Sequence, residues 1–184
     1  MRSWFKCLVA TIPCAIILGL SVIADATTAV FLSREELVRV SDLVVRVKVG
    51  KLTYGESDDK RTLITRSLLD VTQFLKGTGP KQIVIQQFGG THKGKTQKVL
   101  GDGQVVTGED AIVFLKRGDK GLFYLTVLSQ SIYHVDEKGM ARRNLEGLVL
   151  VQRSGETTKS IQVVERAETV ESLMTDIKRL ASAH

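Results

Sequence analysis

One stretch, residues 62–88, does most to limit the folds open to this chain. Ile83, Val84 and Ile85 form a β-branched run closed by Pro80 on one side and by Gly89 and Gly90 on the other, which is how a strand is punctuated. The preceding segment, residues 63–75, is a second strand joined to the first through a turn at residues 76–81. Its apolar side chains sit at Ile64 and Leu68 and then change phase to Leu69 and Val71. Side chains on a strand alternate faces with period two, so this phase change predicts a bulge or sharp bend near Leu68 and Leu69. Bent strands are how small barrels turn corners, and a mainly β fold follows.

The amino terminus is of a different kind. Arg2 and Lys6 precede an apolar stretch over residues 7–24, and Ala24, Asp25 and Ala26 offer a small-x-small cleavage pattern before Thr27. This predicts a signal peptide over residues 1–26, with an uncleaved membrane anchor as the alternative. Pro13 and the cleavage pattern favour removal, so the chain is expected to be exported, to a periplasmic or extracellular (secreted) site. Both cysteines, Cys7 and Cys14, lie in this segment, leaving the mature chain with neither a disulfide framework nor a thiol nucleophile. Ile12 and Pro13 before Cys14 do not make a lipoprotein signal. Losing Arg2, Lys6 and Asp25 moves the net charge from +6 to about +5, a modest attraction to anionic surfaces.

The remaining residues, 27–184, suffice for one domain. Ser33 and Glu36 form a capping box that opens a short helix over residues 33–40. Val45, Val47 and Val49 alternate with Arg46 and Lys48, giving a half-buried strand with a solvated basic face. Residues 54–61 read as a polar loop. Further strands are expected at residues 104–106, 111–115, 122–128, 132–135 and 140–143, with 111–115 the most buried because it is apolar on both faces. Residues 148–151 and 160–164 read as a last pair of strands or irregular extensions. Val170, Leu173, Met174, Ile177, Leu180 and Ala181 line one face of an amphipathic helix at about 168–183, capped by Thr169.

Several motifs point to chemistry that their context does not support. Residues 89–96 match G-x-x-x-x-G-K-T, the phosphate-cradling loop of nucleoside triphosphatases, and follow a strand. That loop needs a helix behind it to aim its positive end at the anion, and Gly101, Asp102 and Gly103 follow too soon. Glu56, Asp58 and Asp59 lack the ligand number and spacing of a calcium loop. Ser131, His134 and Asp136 contain the parts of a hydrolase triad, but on one strand Ser131 and His134 face opposite ways. His92, His134 and His184 are too scattered to hold zinc. No catalytic residue, cofactor site or metal site is therefore assigned, and the chain is not expected to be an enzyme. The low aromatic content, 5%, argues against a stacking platform for bases or sugars, and the lack of interleaved aromatic and basic positions argues against a nucleic-acid partner. What remains is a local basic cluster, His92, Lys93, Lys95 and Lys98, on a glycine-rich loop. It is the candidate binding loop for an envelope protein or an anionic polymer.

The order of Ser41-Asp42-Leu43-Val44-Val45, VTQFLKG at residues 71–77, Gly89-Gly90, and Gly108-Glu109 leading to Phe114-Leu115 resembles uncharacterised exported bacterial proteins over residues 33–135. More distantly the layout is similar to the netrin-like, or tissue-inhibitor-of-metalloprotease-like, barrel, itself related in shape to the OB-fold. The resemblance implies a small antiparallel OB-fold-like barrel with a short amino-terminal helix and a carboxy-terminal helix. Members of that wider group inhibit proteases or bind proteins and glycans. The inhibitors reach a catalytic metal through an amino-terminal cysteine. A mature chain starting near Thr27 has none, so no functional residue carries over. The expectation is an exported noncatalytic binding module of the cell envelope; an exported enzyme without a visible motif and a structural envelope component are the alternatives.

Overall fold

The computed structural model describes residues 27–155 and 157–183. The expected signal peptide, residues 1–26, lies outside them. The strands are β1 (Thr27–Val30), β2 (Leu43–Glu56), β3 (Leu63–Lys76), β4 (Gln82–Phe88), β5 (Gly90–His92), β6 (Lys95–Gln97), β7 (Asp110–Arg117) and β8 (Leu122–Leu125). They continue as β9 (Ile132–Val135), β10 (Met140–Arg143), β11 (Leu148–Ser154), β12 (Thr157–Ser160) and β13 (Glu168–Thr169), with helices α1 (Arg34–Val40) and α2 (Val170–Ser182).

Five strands close into a barrel in the order β7-β2-β3-β4-β8, with β8 returning to β7. The fold is mainly β and compatible with an OB-like barrel. One closing pair departs from the antiparallel expectation: β4 and β8 run parallel, with Ile85 opposite Phe123. The strands β9, β10 and β13 extend the same sheet outward from β7, and β1, β11 and β12 make a separate three-stranded sheet.

The phase change in β3 is realised as a register shift. Val49 pairs with Leu69, but the next pair is Leu52 with Ser67, so Gly50 and Lys51 face Leu68 alone. Gly50 suits this point because a Cβ there would press to 3.2 Å from the Leu68 carbonyl oxygen. Two further shifts, at Val44/Val45 and Arg46/Val47, let fourteen-residue strands wrap around the barrel.

Two apolar cores share β2 and β7. Inside the barrel, Val45, Val47 and Val49 meet Leu69, Ile83, Ile85, Val113, Leu115 and Phe123. Outside it, Val44, Ile112 and Phe114 meet Leu37 and Val38 of α1 and Leu173, Ile177 and Leu180 of α2. Residues 111–115 are buried throughout, as their two apolar faces predict. Arg46 is a correction: it is half-buried, and its guanidinium makes two bonds to Asp110, Nε to Oδ1 at 3.1 Å and Nη2 to Oδ2 at 2.6 Å.

Both helices begin where the sequence places them. In α1 the Ser33 amide donates to Glu36 Oε2 at 2.8 Å, and Ser33 Oγ accepts from the Glu36 amide. In α2 the Thr169 hydroxyl accepts from the Ser172 amide. Arg34 ties the two together, donating from Nη1 to Asp176 Oδ2 at 2.8 Å and pairing with Glu168. At the other end of α1, Lys76 Nζ donates to the carbonyls of Val38 (2.6 Å), Ser41 (2.8 Å) and Arg39 (3.2 Å), satisfying acceptors the helix leaves open. Gly77 passes Asp42 with φ +73°, and a Cβ there would meet the Asp42 carbonyl oxygen at 2.7 Å. The Ser41-Asp42 and Lys76-Gly77 stretches are therefore one structural joint.

Three strand expectations change. Residues 104–106 form no ladder: the Gly103 carbonyl just before them accepts from Gln87 Nε2, and the Val106 amide donates to Glu109 Oε2 at 2.8 Å. The strand expected over 122–128 stops at Leu125. There the Val127 amide donates to Ser131 Oγ at 2.6 Å, Leu128 turns to φ +44°, and a 3-10 turn follows over Leu128–Ser131. The last pair is β11 with β12, which ends at Ser160; the Ile161 amide still donates to the Leu150 carbonyl at 2.9 Å, and residues 161–164 are the irregular extension that was the alternative.

Candidate functional site

Three members of the basic cluster, His92, Lys93 and Lys95, lie on a β-hairpin, and Lys98 follows one residue past its second strand. β5 and β6 pair antiparallel around Lys93 and Gly94, both with positive φ (49° and 75°), the geometry of a tight two-residue hairpin turn. His92 stands opposite Lys95, which places their side chains on one face; Thr91 and Thr96 share the other, their hydroxyls 2.9 Å apart. Lys93, Lys95 and Lys98 are exposed and His92 is half-buried. Among the described residues, none of these four enters an ion pair.

The hairpin is fixed at its root. Gln97 Oε1 accepts from the Leu63 amide at 2.8 Å, and Thr65 Oγ1 donates to the Gly89 carbonyl at 2.8 Å. Gly89 has φ +91°, and a Cβ there would reach the Gln97 carbonyl oxygen at 2.7 Å, so only glycine lets the chain cross itself. A strand follows Lys95 where a phosphate-binding loop needs a helix, so residues 89–96 are not such a loop. The polar 57–62 loop meets the hairpin at Leu63, whose carbonyl accepts from the Gly89 amide. Its Asp59 carboxylate is spent on the turn, taking the Ser57 hydroxyl at 2.6 Å and the Arg61 amide at 3.2 Å.

The other lure comes apart. Ser131 Oγ accepts from Val127, Asp136 Oδ1 caps the β9–β10 turn by accepting from the amides of Lys138 and Met140 at 2.9 Å, and His134 Nδ1 lies against Glu109 Oε1. Glu109, from the Gly108-Glu109 stretch, thus braces both His134 and residue 106.

Sequence reasoning missed a cleft of about 370 Å³ beside the hairpin root, whose walls include Lys98, Asp102, Gln104, Ser129, His134, Asn144 and Glu146. Only Lys98 belongs to the expected cluster. Gly101, Asp102 and Gly103 read as a turn, and the two glycines are the signal that something passes closely. A Cβ on Gly103 would sit 2.8 Å from the Ser129 Cα, and one on Gly101 would strike the Leu148 side chain. Burial pushes the Asp102 carboxyl up to about 6, with the polar groups of Gln87, Gly103 and Phe88 opposing the shift. Ser129 is buried, and its Oγ has no hydrogen-bond partner. Gln104 also lines a smaller groove of about 150 Å³, whose walls include the exposed Tyr54, Phe88 and Val106 together with Leu52 and Val105.

Asp102 sets a pH dependence. Its proton is held more tightly in the folded chain than in the unfolded one. The stability it carries is complete below pH about 4 and is lost as pH rises to about 6. The variant Asp102→Asn is expected to melt with the wild type at pH 3.5 and above it at pH 7.5, by the equivalent of about 1–2 kcal/mol after solvent screening. Thermal unfolding at the two pH values decides; equal gains at both would mean the carboxyl is not the cause.

Comparison with family models finds no match to this chain, and comparison with curated proteins finds none either.

Proposed function

We propose that this chain is an exported, noncatalytic binding module of the cell envelope, periplasmic or extracellular, that engages anionic groups through His92, Lys93, Lys95 and Lys98. The observation that carries this reading is the hairpin itself: Lys93 and Lys95 on a short, root-anchored β-ribbon and Lys98 just past its end, all without a carboxylate partner among the described residues. Cations held that way keep their field for a ligand, where paired ones would cancel it. Export rests on the sequence of residues 1–26, and the netrin-like layout on the motif order together with the closed barrel and carboxy-terminal helix.

The test is binding to immobilised polyphosphate, a flexible polyanion, at low and moderate salt. Wild type is expected to be retained at low salt, and the Lys93→Ala, Lys95→Ala, Lys98→Ala triple variant to bind about tenfold more weakly, with the gap closing as salt screens the charges. Equal retention of both proteins, at whatever strength, removes the hairpin from the function.

A second reading, an exported enzyme, is favoured by one observation: Ser129, the Glu109-braced His134 and the perturbed Asp102 line one cleft. Covalent labelling of Ser129 by a fluorophosphonate, absent in Ser129→Ala, is the result that would install it.

A further inference from the structure

The hairpin borders a patch of a different character. Tyr54, Phe88 and Val106 are 48%, 56% and 67% exposed, and all three line the small groove beside it, whose walls carry no charge among the described residues. Apolar side chains this open, brought together and rimmed by polar ones, mark a contact surface. The groove and the cations share one side of the ribbon. Gly90 and His92 lie two apart on β5, so a Cβ on Gly90 would point to the face that carries the His92 and Lys95 side chains. That Cβ would meet the Tyr54 ring at 2.9 Å, so the ring lies against the cationic face. Phe88 stands one residue before Gly89, where the chain crosses itself at the hairpin root. The carboxylate beside Val106 is already engaged: Glu109 accepts from the Val106 amide and lies against His134.

We infer that this side of the hairpin is a docking surface for an anionic phospholipid bilayer, with Tyr54, Phe88 and Val106 entering the headgroup layer and Lys93, Lys95 and Lys98 resting on its phosphates. This rests on the hairpin reading and names its partner. Two features favour a bilayer over a folded partner. A protein interface of ordinary size takes about 800 Å² from each side in a matched shape. Three open side chains around a groove of about 150 Å³ offer little of either, whereas lipid closes around an inserted side chain whatever its shape. The lysines are exposed and unpaired among the described residues, and their flexible stems suit a diffuse layer of phosphates better than one fixed anion. The rings suit the depth. Phenylalanine gains from apolar burial, and tyrosine does so while keeping its hydroxyl among the headgroups. Neither part suffices alone, since salt screens a few lysines and a few rings leave a surface readily; side by side they reinforce each other.

The experiment is co-sedimentation with vesicles of phosphatidylcholine, alone or with about one third phosphatidylglycerol, beside polyphosphate binding as the soluble control. It uses the chain from Thr27 onward, which keeps both apolar cores and lacks the apolar stretch over residues 7–24 that would enter a bilayer by itself. Wild type is expected on the anionic vesicles and not on the neutral ones. The Tyr54→Ala, Phe88→Ala double variant should bind anionic vesicles about tenfold more weakly and polyphosphate as wild type does. The Lys93→Ala, Lys95→Ala pair should weaken both. Trp4 is the only tryptophan of the full sequence, so Phe88→Trp gives the shortened chain a single indole. Its emission should move to shorter wavelength on anionic vesicles and be quenched by brominated acyl chains. Circular dichroism melts matching wild type keep the variants interpretable, since all of these side chains lie outside the two apolar cores. Vesicle binding that the aromatic variant leaves intact overturns the docking surface, because charge alone then explains it, and so does an indole that stays in water. Polyphosphate binding without vesicle binding overturns it too while leaving the hairpin reading in place. Binding of neither overturns both.

Discussion

Replacing Phe114 by alanine is expected to lower the unfolding free energy by about 3–5 kcal/mol, a large share of the roughly 5–15 kcal/mol that holds a domain of this size. Phe114 is fully buried and lies on the outer face of β7, where its ring sits 5.9 Å from that of Tyr133 and packs among Leu37, Leu173 and Ile177. Its neighbours belong to a strand and two helices, so none can move into the vacancy without detaching from its own element. The denaturation midpoint in urea measures the loss, and hydrogen exchange in α1 and α2 should rise together. A change below about 1 kcal/mol would mean that the helices do not rest on this residue. The contrast is Phe88→Ala, where a ring already more than half exposed should leave the midpoint within about 0.5 kcal/mol of wild type.

The second large effect is electrostatic. Glu165→Gln is expected to cost about 3 kcal/mol, because it strips the counter-charge from a guanidinium that is almost wholly buried. Arg143 is 7% exposed, pairs with Glu165, and lies over the rings of Phe31 and Tyr133 at 5.5 and 5.4 Å. What remains without Glu165 is a long contact to the Leu32 carbonyl at 3.4 Å and the two ring faces. The double variant Arg143→Met, Glu165→Leu should recover most of the loss, since an apolar pair of similar volume carries no desolvation penalty. Equilibrium unfolding of the two variants beside the wild type makes the comparison. A double variant no better than the single one would show that the ion pair, and not the stranded charge, was the stabilising element.

Fold and site differ in how far they could be read from residue order, for physical reasons. The barrel strands carry their own burial pattern: Val45, Val47 and Val49 alternate, residues 111–115 are apolar on both faces, and the phase change at Leu68 and Leu69 shows up as a register shift opposite Gly50. Both helices carry their caps in the sequence at Ser33 and Thr169. Residues 104–106 were illegible because side chains intervene there, Gln87 on the Gly103 carbonyl before them and Glu109 on the Val106 amide. Arg46 reads as a surface cation until β7 brings Asp110 alongside. The hairpin cluster was visible because its residues are consecutive. The cleft was not, because Asp102, Ser129 and Asn144 come from three loops that periodicity does not connect. Several residues of the motif order behind the family resemblance have structural duties: Lys76 ends α1, Gly77 passes Asp42, Gly89 lets the hairpin cross, and Glu109 braces His134.

β1 bears on the order in which the molecule can assemble. Its partner is β11, in parallel, with Thr27 opposite Leu148 and Val30 opposite Val151. Its edge is completed by the buried amide of Gln130, which accepts from the Leu32 N–H at 3.0 Å and donates to the Val30 carbonyl at 2.9 Å. Every one of these partners is synthesised about a hundred residues later. The β2–β3–β4 meander can form from neighbours in the chain, whereas the leading strand must wait, unpaired, for the final third. A segment that docks last leaves the barrel strands to settle first, and it closes the molecule only once β11 is in place.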